Sequence, residues 1–448
     1  MINDTIAAIS TAYGAAGIAV IRISGDQAIS EFNKIFKGKN LEQVKSHTVH
    51  YGHVIDFDGT FLDEVMVTIL KAPKTFTKED MVEISTHGGI LIVQKVLQRV
   101  LSLDIRLANL GEFSERAYLN GRIDLVEAES IMDLIHAKND QALKIASLGV
   151  QKETSQLIKD LRSKLLTIIA QIEVNIDYPE YDDAIVMSKE IIYPKTLELI
   201  DKMKIVLKES EKNQLIRDGI KTVIIGKPNV GKSSLLNALL NEERAIVTDI
   251  EGTTRDTIEA YINIGGITLN LMDTAGIRDT KDIVEKIGVD RSLKALNSAD
   301  LVLLVLDQSK KLSHEDHQLL EQTKNHQRII IGNKSDISNE LGMEDVVSIS
   351  ALNKTGLKEL EQAILKKLAL ENIETRDMNY LSNARHIAKI RESLEALESV
   401  LESIKLDMPV DVYAIDLTQA WKLLGEILGE YYKDDLLDEL FSKFCLGK

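Results

Sequence analysis

The chain has 448 residues, of which 44% are hydrophobic and 28% charged, values typical of a soluble globular protein with two to four domains. No stretch approaches the roughly 18–20 uninterrupted apolar residues of a transmembrane helix. The segment MINDTIAAIS lacks the basic region of a secretory signal, and a single cysteine excludes an internal disulfide, so we expect a cytoplasmic protein without a membrane span. The formal net charge of −16 argues against DNA as a partner and requires a local basic patch or a partner for any RNA contact.

Residues 1–120 are predicted to form a mixed α/β domain. GIAVIRISG is typical of a strand that ends in a glycine turn, and HTVHYGHVIDFDGTFLDEVMVTILKAP predicts a hairpin with Asp58-Gly59 at its turn. GGILIVQKVLQRVLSL has the apolar spacing of a helix. Residues 121–215 repeat apolar residues at three- and four-residue steps, which predicts long bundle helices interrupted at VNIDYPEYDDA.

Between residues 216 and 372, short apolar strands alternate with helices. The strands are predicted at KTVIIG, LNLMD, LVLLVLD, RIIIGNK and VVSISA, a pattern that indicates a mostly parallel α/β sheet. Residues 373–448 are helical again. We therefore predict a multidomain α/β and all-α protein, in which one α/β domain precedes a helical domain and a second α/β domain is inserted in that helical domain.

The strongest motif is G-x-x-x-x-G-K-S, from Gly226 to Ser233, between a predicted strand and a predicted helix. Glycines let backbone N–H groups face phosphates, and the helix N-terminus adds positive potential. We expect Lys232 to reach the β- and γ-phosphates and the Ser233 hydroxyl to bind Mg²⁺. The predicted contacts from this loop are Asn229, Val230, Gly231, Lys232, Ser233 and Ser234.

Three further motifs follow predicted strands in the order expected of a GTP site. Asp273 in DTAG is placed to hold Mg²⁺ through water, and the Gly276 N–H can reach the γ-phosphate. Asp336 in NKSD can accept hydrogen bonds from guanine N1–H and N2–H₂, a donor pair that adenine lacks. A backbone N–H at Ser350-Ala351 could meet guanine O6. Thr274, Ala275, Asn333 and Lys334 complete this set, and all of these motifs lie at strand ends, where open α/β sheets bind ligands.

These motifs resemble those of the translation-factor-like GTPases. Within AIVTDIEGTTRD, residues 245–256, Thr254 is the expected switch threonine that binds Mg²⁺. Ile277 stands where Ras-like proteins have a water-orienting glutamine, so another group must do this. Glu285 is the candidate, although a solvated glutamate on a helix is the commoner explanation for such a residue alone. Further nucleotide contacts are expected from Thr248, Asp249, Ile250, Glu251, Gly252 and Thr253.

The whole chain resembles the MnmE (TrmE) family of tRNA-modification GTPases. The resemblance rests on GIAVIRISG, FTKEDMVEISTHGG, GEFSERAYLNGRIDLVEAESIMDLI, GKPNVGKSSLLNALL, TDIEGTTRD, DTAGIRDT, NKSD and FCLGK. It implies a folate-binding, dimerising N-terminal domain and a P-loop GTPase domain inserted in the helical domain. It also implies a homodimer that joins the flavoprotein MnmG (GidA) in a heterotetramer or larger assembly.

The reaction implied by the resemblance is the addition of an aminomethyl or carboxymethylaminomethyl group to C5 of the wobble uridine of certain tRNAs. The one-carbon unit would come from 5-formyl- or methylene-tetrahydrofolate, and FAD and NADH would be bound by the partner. GTP hydrolysis would be assisted by K⁺ while the G domains pair across the dimer. Asn229 would bind K⁺ together with backbone oxygens of Thr248, Ile250 and Thr253, and Glu285 would position the attacking water.

For folate, the resemblance implies contacts from Arg22, Glu83, Arg122 and Lys448. The two arginines could pair with carboxylates, while Glu83 could accept hydrogen bonds from a pterin amine. Absent the resemblance, each would be read as an ordinary charged surface residue.

Cys445, the single cysteine, has three interpretations. A prenylation signal fits poorly with the Gly447 and Lys448 that follow it. A small buried residue at a helix end is the second interpretation. The third is a catalytic thiol that the tail carries to the folate pocket, and the family pattern favours it.

Two other functions remain open on the sequence. One is a nucleotide-gated ribosome-assembly GTPase without modification chemistry, although such proteins usually carry a basic RNA-binding domain that this acidic chain lacks. The other is a folate-binding module whose G domain only regulates oligomerisation.

Overall fold

The computed structural model describes residues 4–177, 189–241, 258–272, 296–368, 370, 381–431, 434–444 and 447. The chain forms two compact units. Unit 1 contains residues 1–132, 158–163 and 421–448, and unit 2 contains residues 133–157 and 164–420. Within the described ranges, no helix is both long and apolar enough to cross a bilayer. The domain boundaries at 120, 215 and 372 stay predictions.

Unit 1 is built on a seven-stranded sheet. Its strands are β1 (Ile6–Ile9), β2 (Ile18–Ser24), β3 (Phe36–Gly38), β4 (Thr48–Ile55), β5 (Phe61–Leu70), β6 (Met81–His87) and β7 (Arg106–Leu107). The order is β3-β4-β5-β6-β2-β1-β7, in which β1 and β7 are parallel and the other neighbours antiparallel. The predicted hairpin is confirmed as β4–β5, and Gly59 at its turn has a φ of +81°.

Helices occupy much of the remaining chain. They are α1 (Ala28–Asn33), α2 (Ile90–Leu101), α3 (Glu112–Leu119), α4 (Leu125–His136), α5 (Asp140–Val150), α6 (Glu153–Asp177), α7 (Lys189–Asp218), α8 (Lys232–Asn241), α9 (His314–Gln322), α10 (Leu357–Lys367), α11 (Ala384–Lys405), α12 (Val410–Leu428) and α13 (Asp434–Phe441). The predicted break at VNIDYPEYDDA starts later than expected, because α6 continues through Asp177; residues 178–188 lie outside the described residues.

The core of unit 1 lies between the sheet and helices α1 and α2. The buried faces of these helices carry Phe32, Val93 and Val96, which belong to one apolar cluster with inward side chains of the strands such as Val67 and Ile84. Strand β5 alternates buried and exposed side chains, as expected where one face of an antiparallel sheet is covered. At β1 and β6 a second buried cluster, with Ile6, Ala8, Met81 and Phe113, is separate from this core. The exposed side chains of β4 and β5 therefore lie on the face of the sheet that this core does not cover.

Unit 2 contains a six-stranded sheet. Its strands are β8 (Ile220–Ile225), β9 (Ile258–Ile264), β10 (Ile267–Met272), β11 (Leu301–Asp307), β12 (Arg328–Asn333) and β13 (Val346–Ser348). The order is β13-β12-β11-β8-β10-β9, parallel except for the β9–β10 hairpin. Strand β11 is buried on both faces, which explains its continuous apolar run. The parallel sheet was predicted; β9 was not, although Gly265-Gly266 is a hairpin signal.

Candidate functional site

The G-x-x-x-x-G-K-S loop lies between β8 and α8, as the sequence predicts. Both glycines of the loop are required, because neighbouring atoms leave no room for a Cβ atom. A Cβ atom at Gly226 would lie 2.4 Å from the carbonyl oxygen of Val305 in β11. Gly231 has a φ of +99°, and a Cβ there would lie 2.1 Å from Nδ2 of Asn333. The loop therefore packs directly on the ends of its neighbouring strands, and this fixes its backbone.

Lys232 is held at the centre of this loop. Its Nζ donates hydrogen bonds to the carbonyl oxygens of Gly226 at 2.7 Å and Lys227 at 2.8 Å. Burial lowers the pKa of Lys232, because desolvation disfavours the charged form. A bound phosphate would favour that charged form, so the loop fits an anionic ligand. Asn229, at the tip of the loop, has a φ of +63°.

Lys227 makes a contact that the sequence analysis missed. Its Nζ lies 2.6 Å from Oδ2 of Asp316 and 2.8 Å from Oγ of Ser313. Ser313 and Asp316 form the capping box at the start of α9. Burial raises the pKa of Asp316, but the hydrogen bond from Lys227 outweighs burial and the pKa is lowered overall. The phosphate loop is thus attached by an ion pair to the helix that follows β11.

Asn333 joins three of the predicted motifs. Its Nδ2 donates to the carbonyl oxygen of Val230 at 2.8 Å, and its Oδ1 accepts from the backbone N–H of Ala351 at 3.0 Å. Asn333 is 3% exposed, so both hydrogen bonds are shielded from water. The phosphate loop, the end of β12 and the loop after β13 are therefore held by one side chain.

The remaining residues predicted to recognise guanine lie beside Asn333. The Ser350 hydroxyl donates to Oδ1 of Asp336 at 2.5 Å, which orients this carboxylate. Nζ of Lys334 lies 2.7 Å from Oδ2 of Asp307, at the end of β11. Burial raises the pKa of Asp307, but hydrogen bonds from Lys334 and Ser309 outweigh burial and lower it overall. Asp307 was not singled out from the sequence; its signal is a carboxylate directly after a buried strand.

Unit 1 brings Arg22 and Glu83 together on neighbouring strands. Nε and Nη2 of Arg22 donate to Oε1 of Glu83 at 3.0 and 2.8 Å, while Nη1 donates to the carbonyl oxygen of Gly447 at 3.2 Å. The guanidinium carbon lies 5.9 Å from the ring centroid of Phe76 and 5.8 Å from that of Phe113. A planar heterocycle with polar edges fits such a combination of rings and charges.

Two further contacts extend this group. The guanidinium carbon of Arg122 lies 5.1 Å from the centroid of Phe76, so Phe76 is a common neighbour of both predicted folate-binding arginines. The Ser10 hydroxyl donates to the carbonyl oxygen of Gly447 at 3.0 Å. Gly447 has a φ of +85°, and a Cβ there would lie 2.4 Å from the carbonyl oxygen of Ile9. Gly447 is therefore seated against β1 in a place that admits only glycine.

A buried ionic network supports this part of unit 1. Nη2 of Arg116 lies 2.9 Å from Glu112 and 2.7 Å from Asp4, and its Nη1 lies 3.2 Å from Glu79. Arg116 and Glu112 are each 2% exposed. Burial raises the pKa of Glu112, but hydrogen bonds, first that from Arg106, lower it overall. The sequence did not predict this network. Its signal is the pair Glu112 and Arg116, two charges of opposite sign four residues apart on α3.

Several predicted site residues lie outside the described residues. They are residues 248–254, residues 273–276, Glu285, Cys445 and Lys448. Ser233 and Ser234 lie in the first turn of α8, directly after Lys232.

Comparison with known proteins decides the family. The MnmE helical domain matches residues 125–445, and the N-terminus of the GTP-binding protein TrmE matches residues 5–122. The chain belongs to the MnmE family. A tRNA modification GTPase MnmE from Acholeplasma laidlawii is 64% identical over 99% of both chains. The protein of the same name from Aster yellows witches'-broom phytoplasma is 55% identical over 100% of both.

This MnmE-family chain also shows a partial likeness to a solved structure. An Era variant from Aquifex aeolicus bound to GDP and AlF₄⁻ is 28% identical, with a TM-score of 0.26, over 39% of this chain and 65% of that one. This likeness is too partial to add to the family assignment.

Proposed function

We propose that this protein is a GTPase of tRNA modification. With the flavoprotein MnmG it adds an aminomethyl or carboxymethylaminomethyl group to C5 of the wobble uridine of certain tRNAs, using a folate one-carbon unit. The observation that carries the proposal is the 64% identity, along 99% of both chains, to a tRNA modification GTPase MnmE. We also propose a cytoplasmic location, where tRNA is available as the substrate.

The nucleotide chemistry follows from the loop that Lys232 and Asn333 hold. The Lys232 ammonium and the backbone N–H groups at the start of α8 bind the phosphates, since both supply positive potential at one place. Asp336, oriented by Ser350, selects guanine. Mg²⁺ is held by Ser233 and Thr254, and when bound it neutralises charge that develops on the phosphates.

K⁺ is the proposed stimulating ion. Asn229 binds it together with the backbone oxygens of Thr248, Ile250 and Thr253, and Glu285 positions the attacking water. The φ of +63° at Asn229 supports this role, because left-handed backbone in a non-glycine residue is often retained at functional sites. The test compares GTP turnover in KCl and NaCl at equal ionic strength. We expect faster turnover in K⁺ and loss of that difference in Asn229→Ala; equal rates in the two salts would contradict the proposal.

Folate is the proposed ligand of unit 1. Arg22 and Arg122 pair with its carboxylates, Glu83 accepts hydrogen bonds from the pterin amine, and Lys448 lies near the ligand. Support comes from the rings of Phe76 and Phe113 beside Arg22 and from the polar edge that Glu83 provides. When bound, the folate supplies the one-carbon unit, and the residues of this chain bind and orient it.

Cys445 is the proposed catalytic thiol. The carbonyl oxygen of Gly447, two residues further on, accepts hydrogen bonds from both Arg22 and Ser10, so Gly447 docks where the folate is proposed to bind. We expect Cys445→Ser to abolish tRNA modification and to leave GTP turnover nearly unchanged. Normal levels of the modified nucleoside in cells that carry only this variant would rule out a role for the thiol.

A homodimer formed through unit 1 is the proposed assembly. Val49, Tyr51 and Met66 share the uncovered face of β4 and β5, and all three are exposed although apolar. Exposed apolar side chains grouped on one face are typical of an interaction surface. We expect Tyr51→Glu to lower the molar mass in sedimentation equilibrium, whereas Ile337→Glu, which changes an exposed apolar residue of unit 2, leaves it unchanged.

Mass analysis of tRNA nucleosides separates this function from ribosome assembly. A strain that lacks the gene should lose the modified wobble uridine and regain it with the wild-type gene. Unchanged nucleosides together with a defect in ribosomal subunits would favour the assembly factor instead.

A further inference from the structure

The segment between α4 and α5 is bonded to the β9–β10 hairpin inside unit 2. Oδ1 of Asn139 accepts a hydrogen bond from the backbone N–H of Ala142 at 2.7 Å and so caps α5. Nδ2 of the same side chain donates to the hydroxyl of Thr268 in β10 at 2.8 Å and to the carbonyl oxygen of Ile216 at 3.3 Å. The side-chain amide of Asn139 thus caps α5 and at the same time bonds to strand β10.

These hydrogen bonds continue into a closed ring. The Thr268 hydroxyl donates to Oδ1 of Asn263, its cross-strand neighbour in β9, at 2.8 Å. Nδ2 of Asn263 donates to the carbonyl oxygen of Lys138 at 3.0 Å, and Lys138 precedes Asn139 in the chain. Thr268 is 1% exposed, so the ring is shielded from water at its centre. Buried polar groups that satisfy one another in this way fix the relative position of their elements.

Apolar and charged contacts strengthen the same junction. Nζ of Lys138 lies 3.7 Å from the ring centroid of Tyr261 in β9. A Cβ at Gly266, in the hairpin turn, would lie 3.2 Å from the side chain of Gln141. Ile145 of α5 is buried in the same apolar cluster as Ile264 of β9. Helix α5 and the hairpin are therefore held together by both the ring and the core.

The β9–β10 hairpin lies between two of the predicted nucleotide-binding motifs in the sequence. Strand β9 begins two residues after TDIEGTTRD, and β10 ends at Met272, directly before DTAG. The hairpin is therefore the covalent connection between the two motifs that, under the proposed function, respond to the γ-phosphate. On its other side, α5 follows α4, the helix that begins three residues after Arg122.

We propose that Asn139 is a positioning residue that couples GTP hydrolysis to tRNA modification, by transmitting the state of the β9–β10 hairpin to the start of α5. The proposal rests on the proposed function above. It assigns no chemical role to Asn139, because the residue acts through Thr268 and the helix that it caps.

The test uses two variants and a matched control in the full-length protein. Asn139→Ala removes the cap and the ring contact, whereas Thr268→Val keeps the cap and the side-chain shape and removes only the hydroxyl. The control is Asn383→Ala, because Asn383 caps α11 through its side chain, which accepts from Arg385 N at 2.9 Å. The control therefore measures the loss of a helix cap alone.

We expect GTP turnover within about twofold of wild type in all three variants, and modified wobble uridine at least about fivefold lower in Asn139→Ala and Thr268→Val, as for typical couplings between sites. Asn383→Ala should modify tRNA as wild type does. The double variant Asn139→Ala/Thr268→Val should be no worse than either single variant, because both break the same ring.

A second measurement does not depend on tRNA. Hydrogen exchange of the peptide that covers residues 137–150 should differ between the GDP-bound and GTP-analogue-bound wild type, and this difference should vanish in Thr268→Val. Full modification by both ring variants, or a parallel fall of GTP turnover and modification, would overturn the inference. Failure of the wild-type gene to restore the nucleoside would instead defeat the proposed function, and the inference with it.

Discussion

Gly447→Ala tests how firmly the C-terminal tail is seated in unit 1. The added Cβ would lie 2.4 Å from the carbonyl oxygen of Ile9 and 2.8 Å from Cα of Ser10, closer than real Cβ contacts allow, so the tail must move. Moving it breaks the hydrogen bonds from Ser10 and Arg22 to the Gly447 carbonyl oxygen. These are worth about 1 kcal/mol each, and a side chain at a φ of +85° adds about 1–2 kcal/mol.

The total of about 3 kcal/mol corresponds to a roughly 100-fold larger undocked population. Hydrogen exchange measures this population, because amides protected by docking exchange only from the undocked state. We expect exchange in the peptide that carries Gly447 to accelerate by up to roughly 100-fold. Modification of tRNA should fall with it, while GTP turnover stays near wild type.

The control is Gly59→Ala. Gly59 has a φ of +81°, close to that of Gly447, but no atom lies within 4 Å of its added Cβ. This variant therefore carries the backbone strain without the overlap and should not change exchange in the tail. Equal exchange rates of the tail peptide in wild type and Gly447→Ala would contradict the conclusion that Gly447 is packed against β1.

Three further predictions concern single contacts. Asn333→Ala should weaken GTP binding at least about tenfold in a fluorescent-nucleotide titration, since two buried partners each lose a hydrogen bond worth about 1–3 kcal/mol. Lys227→Met should lower the free energy of unfolding of unit 2 by about 2–4 kcal/mol in denaturant titration, because it leaves the buried Asp316 carboxylate without its cation. NMR titration should give His87 a pKa above its usual value, because the hydrogen bond from its ring to Asp63 favours the charged form. That pair stabilises the fold fully below the unfolded pKa of about 6.5, and its contribution is lost as the pH rises through the folded pKa.

Each contact has its own control. Asn353→Ala removes an exposed amide from the loop after β13 and should bind GTP as wild type does. Adding Asp316→Asn to Lys227→Met should recover part of the lost stability, because no charge is then left unpaired; no recovery would contradict the ion-pair explanation. Asp63→Asn should return the pKa of His87 toward its usual value, and an unchanged titration curve would show that another group raises it.

Much of the nucleotide site was predictable because its signal is local. The loop from Gly226 to Ser233 is one continuous motif, and its strand and helix are periodic enough to be found directly. A parallel sheet then brings the ends of its strands to one edge, so Asn333 and Ala351 were expected near the loop.

The contacts that were missed depend on distant parts of the chain. Lys227 and Asp316 are 89 positions apart, and their meeting depends on where α9 begins over the sheet. Arg22 and Gly447 are 425 positions apart, so no periodicity or local motif could pair them. The resemblance to a family predicted that the tail and the folate residues act together, but the seat of Gly447 against β1 follows only from packing.

Unit 1 is formed by segments from both ends of the chain, which has a consequence for the growing chain on the ribosome. Its residues 421–448 are synthesised only after residues 133–420, which takes on the order of tens of seconds. Leu437, Phe441 and Phe444 belong to the same apolar cluster as Ala117 and Leu125. During translation this cluster is without Leu437, Phe441 and Phe444, so the nascent N-terminal segment exposes apolar surface while the sequence of unit 2 is being completed.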